Sequence, residues 1–269
     1  MRARPEPPKT IEAYREWFAG VLNYDGVRDR DRYESASRLI REAFASGSFW
    51  CELARLLPAL ADDYEVKTSY SLFVADPRSA REALPDLTIK PFDSVVEKTW
   101  RRNALENPRW PRPPVGGWIT PENWYERVGD VVRTSVAVKY LDGVTYLQRN
   151  VEALAHSLEL PCRSELAARH EGYYAAHLDV TFPVELPGQA WDTVRVRARA
   201  ELQITTQLQE VIRRLLHRQY ESDRVKRSPE NWEWAYDSEA FGVKYLGHVL
   251  HYLEGKIMDE RKRTSDGIG

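Results

Sequence analysis

Cysteine is scarce in this chain of 269 residues, which contains only Cys51 and Cys162. Two cysteines cannot build a disulfide scaffold, so we expect a reducing compartment, the cytoplasm. The chain also lacks an excess of one charge: its formal net charge is −2 at pH 7, and a nucleic acid partner would therefore need a local basic patch. No run of about 18 apolar residues that could span a bilayer is present. The first ten residues have no apolar stretch after their arginines, so no signal peptide and no membrane contact are expected.

Three common catalytic signatures are missing as well. The phosphate-binding pattern GxxxxGK[ST] occurs nowhere, and neither does the dinucleotide-binding pattern GxGxxG. The GxSxG elbow of many serine hydrolases is also absent. If the chain binds nucleotides or phosphates, it must do so with a site of another kind.

One strictly alternating segment stands out, between positions 194 and 204. Its apolar positions are Val194, Val196, Ala198, Ala200, Leu202 and Ile204, and its polar positions are Arg195, Arg197, Arg199, Glu201 and Gln203. This period of two predicts a strand with one buried and one polar face. Three arginines around one carboxylate suit a polyphosphate with a divalent cation better than a merely solvated face, which is the alternative. Thr205 and Thr206 then predict the start of a helix, with a buried stripe of Leu208, Val211, Ile212, Leu215 and Leu216.

The rest of the chain predicts helices and two further strands with a polar face. Helical periodicity covers residues 11–22, 30–44, 49–60, 144–158 and 239–262, the last with a stripe of Val243, Leu246, Val249, Leu250, Leu253 and Ile257. A weak alternation over residues 64–74 predicts a strand, as do residues 128–143, led by Asp130, and the segment from Gly172. The loop 107–122 is rich in proline and glycine, and we expect Trp110, Trp118 and Trp124 to anchor it in the core rather than form an exposed docking surface.

A second cationic group lies in the segment from Ile89 to Asn103. Its members recur at helical spacing and share roughly one side: Lys90, Ser94, Lys98, Arg101 and Arg102. Such a run is often a solvated helix face, but few acids balance it here. Taken together, the pattern predicts an α/β (α+β) fold with a mixed sheet whose polar face carries Asp130, Glu201 and Tyr173. Mg²⁺ on one or two carboxylates, with cations on the phosphates, is what phosphoryl-type transfer requires.

Four motifs in order resemble the synthetase domain of the RelA/SpoT family. They are KPFDSVVEK from Lys90, GDVVRTSVAV around Asp130, GYYAAH from Gly172, and AELQITT followed by LLHRQYE up to Tyr220. The resemblance covers about Lys90 to Tyr220. It implies a nucleotidyltransferase-like mixed sheet flanked by helices, with extra N- and C-terminal helices. It also implies an ATP-dependent pyrophosphokinase that transfers the β,γ-pyrophosphate of ATP to a 3′-hydroxyl and releases AMP.

The resemblance also implies site residues. Asp130 and Glu201 would be catalytic and bind Mg²⁺, with Glu201 also the base for the acceptor hydroxyl. The implied ATP-binding residues are Lys90, Ser94, Lys98, Arg101, Arg102 and Arg133, and the implied acceptor-binding residues are Tyr173, His177, Arg197, Arg199 and Gln203. Arg133-Thr134-Ser135 stands where the family usually has Gly-Ile-Arg, so the arginine that holds adenine has moved or been lost. Thr88 and Leu216 are further departures, from an arginine and a glutamate.

These departures, and the absence of hydrolase and regulatory domains from the chain, resemble the small synthetases and most of all their toxin branch (toxSAS). We expect residues 1–85 to form an N-terminal helical layer, 86–225 the synthetase-like core, and 226–269 a linker and an amphipathic helix. The acceptor is then the tRNA 3′ CCA end, or else a guanine or adenine nucleotide that yields (p)ppGpp or ppApp. A basic track for tRNA would comprise Arg213, Arg214, Arg218, Arg224, Lys226 and Arg227. An antitoxin protein or a second copy of the chain are the further partners implied. A non-catalytic nucleotide-binding protein is the alternative of another class.

Overall fold

The computed structural model describes residues 5–74, 84–188, 192–214 and 232–266. The α-helices of the described residues are α1 (Ile11–Leu22), α2 (Arg28–Ser46), α3 (Ser48–Thr68), α4 (Phe92–Trp100), α5 (Trp124–Arg127), α6 (Leu141–Ser157), α7 (residues 207–214) and α8 (Glu239–Asp266). A π-helical turn, Arg101–Leu105, follows α4, and a 3-10 turn, Trp232–Trp234, precedes α8. The strands are β1 (Thr88–Ile89), β2 (Val132–Val138), β3 (Cys162–Ala168), β4 (Tyr174–Pro187) and β5 (Thr193–Thr206). They form one sheet in the order β1-β2-β5-β4-β3. The predicted fold class, a mixed sheet flanked by helices, is confirmed.

The residues group into two compact units. The first comprises Met1–Trp50, Asp86–Thr134 and Asp179–Glu201, and the second comprises Cys51–Pro85, Ser135–Leu178 and Leu202–Gly269. The boundaries predicted at residues 85 and 225 stay a prediction. Among the described residues, no helix has both the length and the apolar character needed to cross a membrane.

Aromatic side chains dominate the core of the first unit. Tyr14 stacks on Phe18, and Phe18 in turn stacks on Tyr24. Trp110 and Trp124 are buried, and both Trp110 and Trp118 contact Trp17. The tryptophans therefore anchor the proline-rich loop in the core, as predicted.

Asn103 fastens the same loop by hydrogen bonds. This fully buried side chain donates to the carbonyl of Ile119 at 2.8 Å and to the hydroxyl of Tyr14 at 3.0 Å, and its own oxygen accepts from the Ile119 amide at 3.0 Å. Buried polar groups need such partners because an unmade hydrogen bond in the core costs stability. One amide side chain thus ties α1 and the loop to the turn after α4.

The second unit contains a polar cluster around Arg261 on α8. The Arg261 guanidinium lies 3.9 Å from the ring centre of Tyr70 and 4.3 Å from that of Tyr140. It also donates to Asp142 at 3.1 Å, and Asp142 accepts a hydrogen bond from Tyr64 at 2.7 Å. A guanidinium between two aromatic faces makes favourable cation–π contacts, so this cluster fixes the last turns of α8 against α6.

One predicted strand was wrong, and two strands were missed. Residues 64–68 continue α3 and residues 69–74 form no strand, because Leu53, Leu57 and Tyr64 keep one helical stripe buried. The short strands β1 and β3 were not predicted. Neither has a long alternating pattern to reveal it, since β1 has two residues and β3 is mostly exposed.

The predicted apolar stripes of the last two helices were also wrong. On α7, Leu208 and Val211 are exposed whereas Gln209 and Glu210 are buried; Leu215 and Leu216 lie outside the described residues. On α8 the stripe residues Leu246, Val249, Leu253 and Ile257 are 40 to 49% exposed. Instead α8 buries Lys244, Gly247, Glu254 and Arg261. The physical reason is that α7 and α8 meet through polar groups rather than through the apolar stripes: Gln209 donates to the Gly247 carbonyl and to Glu254, both at 3.4 Å.

Candidate functional site

The short pairing of β1 with β2 brings Lys90 beside Asp130. Thr88 is opposite Arg133 and Ile89 is opposite Val132 in an antiparallel register. One residue further, the Lys90 amide donates to the Val131 carbonyl at 2.9 Å. Lys90 follows β1 and is opposite Val131, which precedes β2, so Asp130 is the next residue along from the partner of Lys90.

Helix α4 supplies the second lysine. Phe92, Val95 and Val96 are its buried apolar residues, and this stripe orients the helix so that Lys98 reaches the start of β2. The Lys98 ammonium lies 2.8 Å from Oδ1 of Asp130, and the Lys90 ammonium lies 2.9 Å from Oδ2. Each carboxylate oxygen of Asp130 thus has its own cation.

This triad is largely buried, and the charges within it oppose the effect of burial on the pKa of Asp130. The Lys90 side chain is 9% exposed, that of Asp130 12% and that of Lys98 17%. Burial by itself would raise the pKa of Asp130, but the charges of Lys98 and Lys90 outweigh it and hold that pKa far below its ordinary value. Burial lowers the pKa of Lys90, and Asp130 offsets part of that effect. Asp130 is therefore ionised at neutral pH.

Two arginines converge on one backbone carbonyl close by. Arg102 Nη1 donates to the Arg127 carbonyl at 2.9 Å, and Arg199 Nη2 donates to the same oxygen at 3.0 Å. Although much of the Arg102 side chain is exposed, desolvation of its guanidinium lowers its pKa, while Asp130 raises it and Arg199 lowers it further. Arg102 and Arg199 thus lie next to each other on the Arg127 carbonyl, and Arg102 is close enough to Asp130 for the two charges to interact.

Asp179, which was not predicted as a site residue, joins this neighbourhood. Arg199 Nη1 lies 3.7 Å from its carboxylate. Burial raises the pKa of Asp179; Arg199 and Lys98 oppose this, and the charges of Glu201 and Asp130 raise it further. The carboxylate also lies against Gly129, where a methyl group would meet its oxygens at 3.0 and 3.2 Å. Its place on the polar face of the strand was the only signal in the sequence.

Glu201 occupies the position on β5 that the alternation predicts. From Ala198 to Ile204, every second residue is buried, and Arg199, Glu201 and Gln203 between them are partly exposed. The charges of Glu201 and Asp130 both raise the pKa of Asp179. All three carboxylates are therefore close enough to interact electrostatically.

The other predicted residues of the first unit have varied surroundings. Ser94 is half-buried on α4 and Arg197 is exposed on β5. Arg133 is close enough to lower the pKa of Lys90. Arg101 lies 3.9 Å from Glu106, so its nearest described acid is not one of the site.

The predicted acceptor-side pair belongs to the second unit. The Tyr173 hydroxyl lies 3.1 Å from Nε2 of His177, and Gln203 is half-buried on β5. Of the predicted basic track, Arg213 and Arg214 both bind Glu210. The remaining members, Arg218, Arg224, Lys226 and Arg227, lie outside the described residues, as do His217 and Tyr220.

The carboxylates of the first unit fit a hard divalent cation. The described residues contain no group of three or more His, Cys, Asp and Glu side chains with ligand geometry. Mg²⁺ does not require one, because it binds through one or two carboxylates, water and substrate phosphates. The donors here are all oxygens, and Glu201 and Asp130 together raise the pKa of Asp179, so a positive charge among these acids would relieve their repulsion. That Asp130 and Glu201 hold such an ion stays a prediction.

Comparison with known proteins places the fold in a class. No family model and no curated protein matches this sequence. The fold is that of the small alarmone synthetases: the crystal structure of small alarmone synthetase 1 from Bacillus subtilis matches with a TM-score of 0.51 and 16% identity, over 88% of this chain and 97% of that one. A GTP pyrophosphokinase family protein from Streptococcus pneumoniae matches with a TM-score of 0.47 and 18% identity, over 87% and 93% of the two chains. At such identities the likeness shows the fold.

Proposed function

We propose that this chain is a pyrophosphokinase that uses ATP and acts on the 3′ end of tRNA. The observation that carries the proposal is Asp130, buried between Lys90 and Lys98 at 2.9 and 2.8 Å. Next to a sheet of the synthetase fold, this arrangement suits a triphosphate with a cation. Two guanidinium groups, those of Arg102 and Arg199, meet on one carbonyl nearby. Their positive charge further supports an anionic substrate.

The reaction transfers a pyrophosphoryl group as a unit. The 3′-oxygen of the acceptor forms a bond to the β-phosphorus of ATP, and the bond from that phosphorus to the α,β-bridging oxygen breaks. AMP leaves with the electron pair, and the hydroxyl proton passes to a base. Such transfer needs positioning and charge stabilisation more than covalent chemistry.

Each group of residues has a role in this scheme. Lys90, Lys98 and Arg102 bind the phosphates of ATP, with Ser94, Arg101 and Arg133 as the further ATP-side residues. Mg²⁺, held by Asp130 and Glu201, would neutralise charge that develops on the phosphate oxygens. Glu201 accepts the proton of the acceptor hydroxyl.

The acceptor side would be formed by aromatic and cationic groups. Tyr173 stacks on the acceptor base and His177 lies near its sugar or phosphates, because every base offers a π-face to an aromatic ring. Arg197, Arg199 and Gln203 complete this side. As a toxin, the enzyme would act in the cytoplasm and block translation, and an antitoxin or a second copy of the chain would be its protein partner.

A nucleotide acceptor is the second candidate. The fold shared with a small alarmone synthetase favours GDP, GTP or an adenine nucleotide, and the net charge of −2 gives tRNA no global attraction. The tRNA proposal therefore depends on local cations such as Arg213 and Arg214.

The test is transfer of label from γ-labelled ATP, with deacylated tRNA, GDP, GTP or adenine nucleotides as acceptors. We expect label on tRNA, with binding that weakens steeply as salt is added. Label only on a nucleotide would reject the tRNA proposal in favour of the second candidate.

A matched pair of variants tests the enzyme itself. Glu201→Gln should lower transfer about 100-fold or more while ATP still binds, and it should relieve the growth arrest that we expect from the wild type. Glu52→Gln, which changes an exposed partner of Arg55 at 2.7 Å, is the control and should leave transfer unchanged. If no acceptor is labelled, the chain is a nucleotide-binding protein without this activity. If Glu201→Gln transfers label as fast as the wild type, Glu201 is not the base and the proposed mechanism fails.

A further inference from the structure

The turn before β4 is fixed by glycine. The Arg169 amide donates to the Tyr173 carbonyl, and the Gly172 amide donates back to the Arg169 carbonyl, both at 2.9 Å. Gly172 has a φ of +80°, a conformation that residues with a side chain rarely adopt. Tyr173, the proposed base-stacking residue, follows directly, so the turn sets where it enters the strand.

Helix α8 contacts this turn backbone to backbone. A methyl group on Gly247 would lie 2.8 Å from the carbonyl carbon of Gly172 and 3.0 Å from its Cα. Conversely, a methyl group on Gly172 would lie 3.1 Å from the Cα of Gly247. Those atoms are backbone and cannot rotate away, so both positions must lack a side chain. The other described glycines of the helix, Gly242 and Gly255, have no atom within 4 Å of such a methyl group.

The same helix also holds the residue that follows Tyr173. The Tyr174 hydroxyl lies 2.8 Å from Nδ1 of His248, and its ring stacks on His251 with centroids 3.7 Å apart and planes at 5°. The Tyr174 carbonyl accepts from the Thr205 hydroxyl at 3.1 Å. Helix α8 therefore contacts both chain neighbours of Tyr173, Gly172 and Tyr174.

Tyr173 itself points to the opposite face. Successive residues of an extended chain alternate between faces. Because Tyr174 faces α8, Tyr173 is directed away from that helix, and its hydroxyl lies 3.1 Å from Nε2 of His177. Arg213 lies close enough for Tyr173 to affect its pKa. The hydrogen bonds that Arg213 donates to Glu210 are the main cause of the raised pKa of Arg213, and Tyr173 adds to the effect.

From this geometry we infer that α8 sets the position of the Tyr173–His177 pair, with Gly247 and Tyr174 as positioning residues for the acceptor. The inference rests on the proposed function, because it takes Tyr173 and His177 as the acceptor side. It assigns a role in substrate binding to a C-terminal helix that carries none of the proposed catalytic groups.

The decisive comparison is Gly247→Ala against Gly255→Ala in the full chain. Both changes put the same methyl group on α8 and raise helix propensity equally, but only the first collides with Gly172. We expect Gly247→Ala to raise the KM for the acceptor about 10- to 100-fold, as a displacement near 1 Å does at other sites, with the KM for ATP within about twofold of the wild type. Gly255→Ala should change neither constant. A rise in both constants, or in neither, would overturn the inference.

A second variant covers the case in which Gly247→Ala fails to fold. Tyr174→Phe removes only the hydroxyl that meets His248 and keeps the ring on His251. It should raise the acceptor KM about two- to tenfold, a share of one hydrogen bond, and leave the KM for ATP unchanged. An acceptor KM equal to that of the wild type counts against the inference.

Hydrogen exchange separates this inference from the proposed function. Amides of residues 169–178 should exchange faster in Gly247→Ala than in Gly255→Ala, whether or not any acceptor is labelled. Equal exchange in the two variants overturns the positioning role of α8. If Gly247→Ala exchanges faster than Gly255→Ala but the wild type labels no acceptor, the proposed function is overturned instead, and with it the acceptor role of Tyr173 and His177.

Discussion

The strongest test of the site's electrostatics is Asp130→Asn. The change keeps the shape of the side chain and removes one negative charge that lies 2.9 Å from Lys90 and 2.8 Å from Lys98. Both ammonium groups then remain largely buried without their counter-charge. In an apo protein this should be costly, because desolvated charges depend on their partners.

The size of the effect follows from the distances and the burial. Two unit charges about 2.9 Å apart attract by roughly 6 kcal/mol at an effective dielectric constant near 20, and Asp130 has two such contacts. Much of this is offset by the cost of burying the carboxylate, so the net loss when one partner of a buried pair is removed is about 3–5 kcal/mol. For a chain of this size that corresponds to a fall in Tm of about 6–20 °C.

The assay is urea unfolding of the apo protein at pH 7, with Asp93→Asn as the matched control. Asp93 also contacts two arginines, Arg15 at 2.8 Å and Arg30 at 3.0 Å, but its side chain is 57% exposed. Exposed pairs contribute less than about 1 kcal/mol. If both variants lose the same free energy of unfolding, burial of the lysines does not matter and the reasoning is refuted.

The pH dependence of the same variant has a definite sign. Because the folded state depresses the pKa of Asp130 below its ordinary value of 3.8, its contribution is present above that pH and is lost as the pH falls below it. The difference in unfolding free energy between wild type and Asp130→Asn should therefore be constant from pH 5 to 7 and shrink at lower pH. A difference that grows on acidification would contradict the assignment.

Two further predictions concern stability. Asn103→Ala should cost about 2–4 kcal/mol in urea unfolding, because it leaves the amide and the carbonyl of Ile119 buried without a partner. Arg261→Met, which keeps the length of the side chain, should cost about 1–3 kcal/mol by the same measurement, because it removes the charge between the rings of Tyr70 and Tyr140.

Each of these variants has a control on the same kind of element. Asn150→Ala removes a half-buried helix side chain that donates to the Tyr146 carbonyl at 2.8 Å, and Arg263→Met changes an arginine whose side chain is 77% exposed. Both controls should unfold within about 0.5 kcal/mol of the wild type. If a control loses as much free energy of unfolding as its test variant, burial is not what makes Asn103 or Arg261 stabilising.

Periodicity predicted most of the fold because it reports directly on burial. The alternation in β5 and the apolar stripe of α4 both follow from one covered face, and the positions of Lys98 and Glu201 follow from them. The pairing of Lys90 with Asp130 could not be predicted in the same way, because it depends on the register of a strand only two residues long.

Other features escaped prediction because their causes are not periodic. Asp179 has neighbours that come from another strand and from the loop at Gly129, which no spacing along its own strand reveals. The buried face of α8 was predicted wrongly for a related reason. Hydrogen bonds and a glycine contact decide which face of that helix is buried, and neither appears in the spacing of apolar residues.

The contact between Gly172 and Gly247 constrains how this chain can vary. Two packed side chains can exchange sizes, a larger group on one side being accepted when the other becomes smaller. Here both partners are glycines and have no side chain that could become smaller. No second change at the other position can therefore restore the fit. Both positions should therefore stay glycine in any descendant that keeps the helix on the turn, whereas Gly242 and Gly255 on the same helix remain free to change.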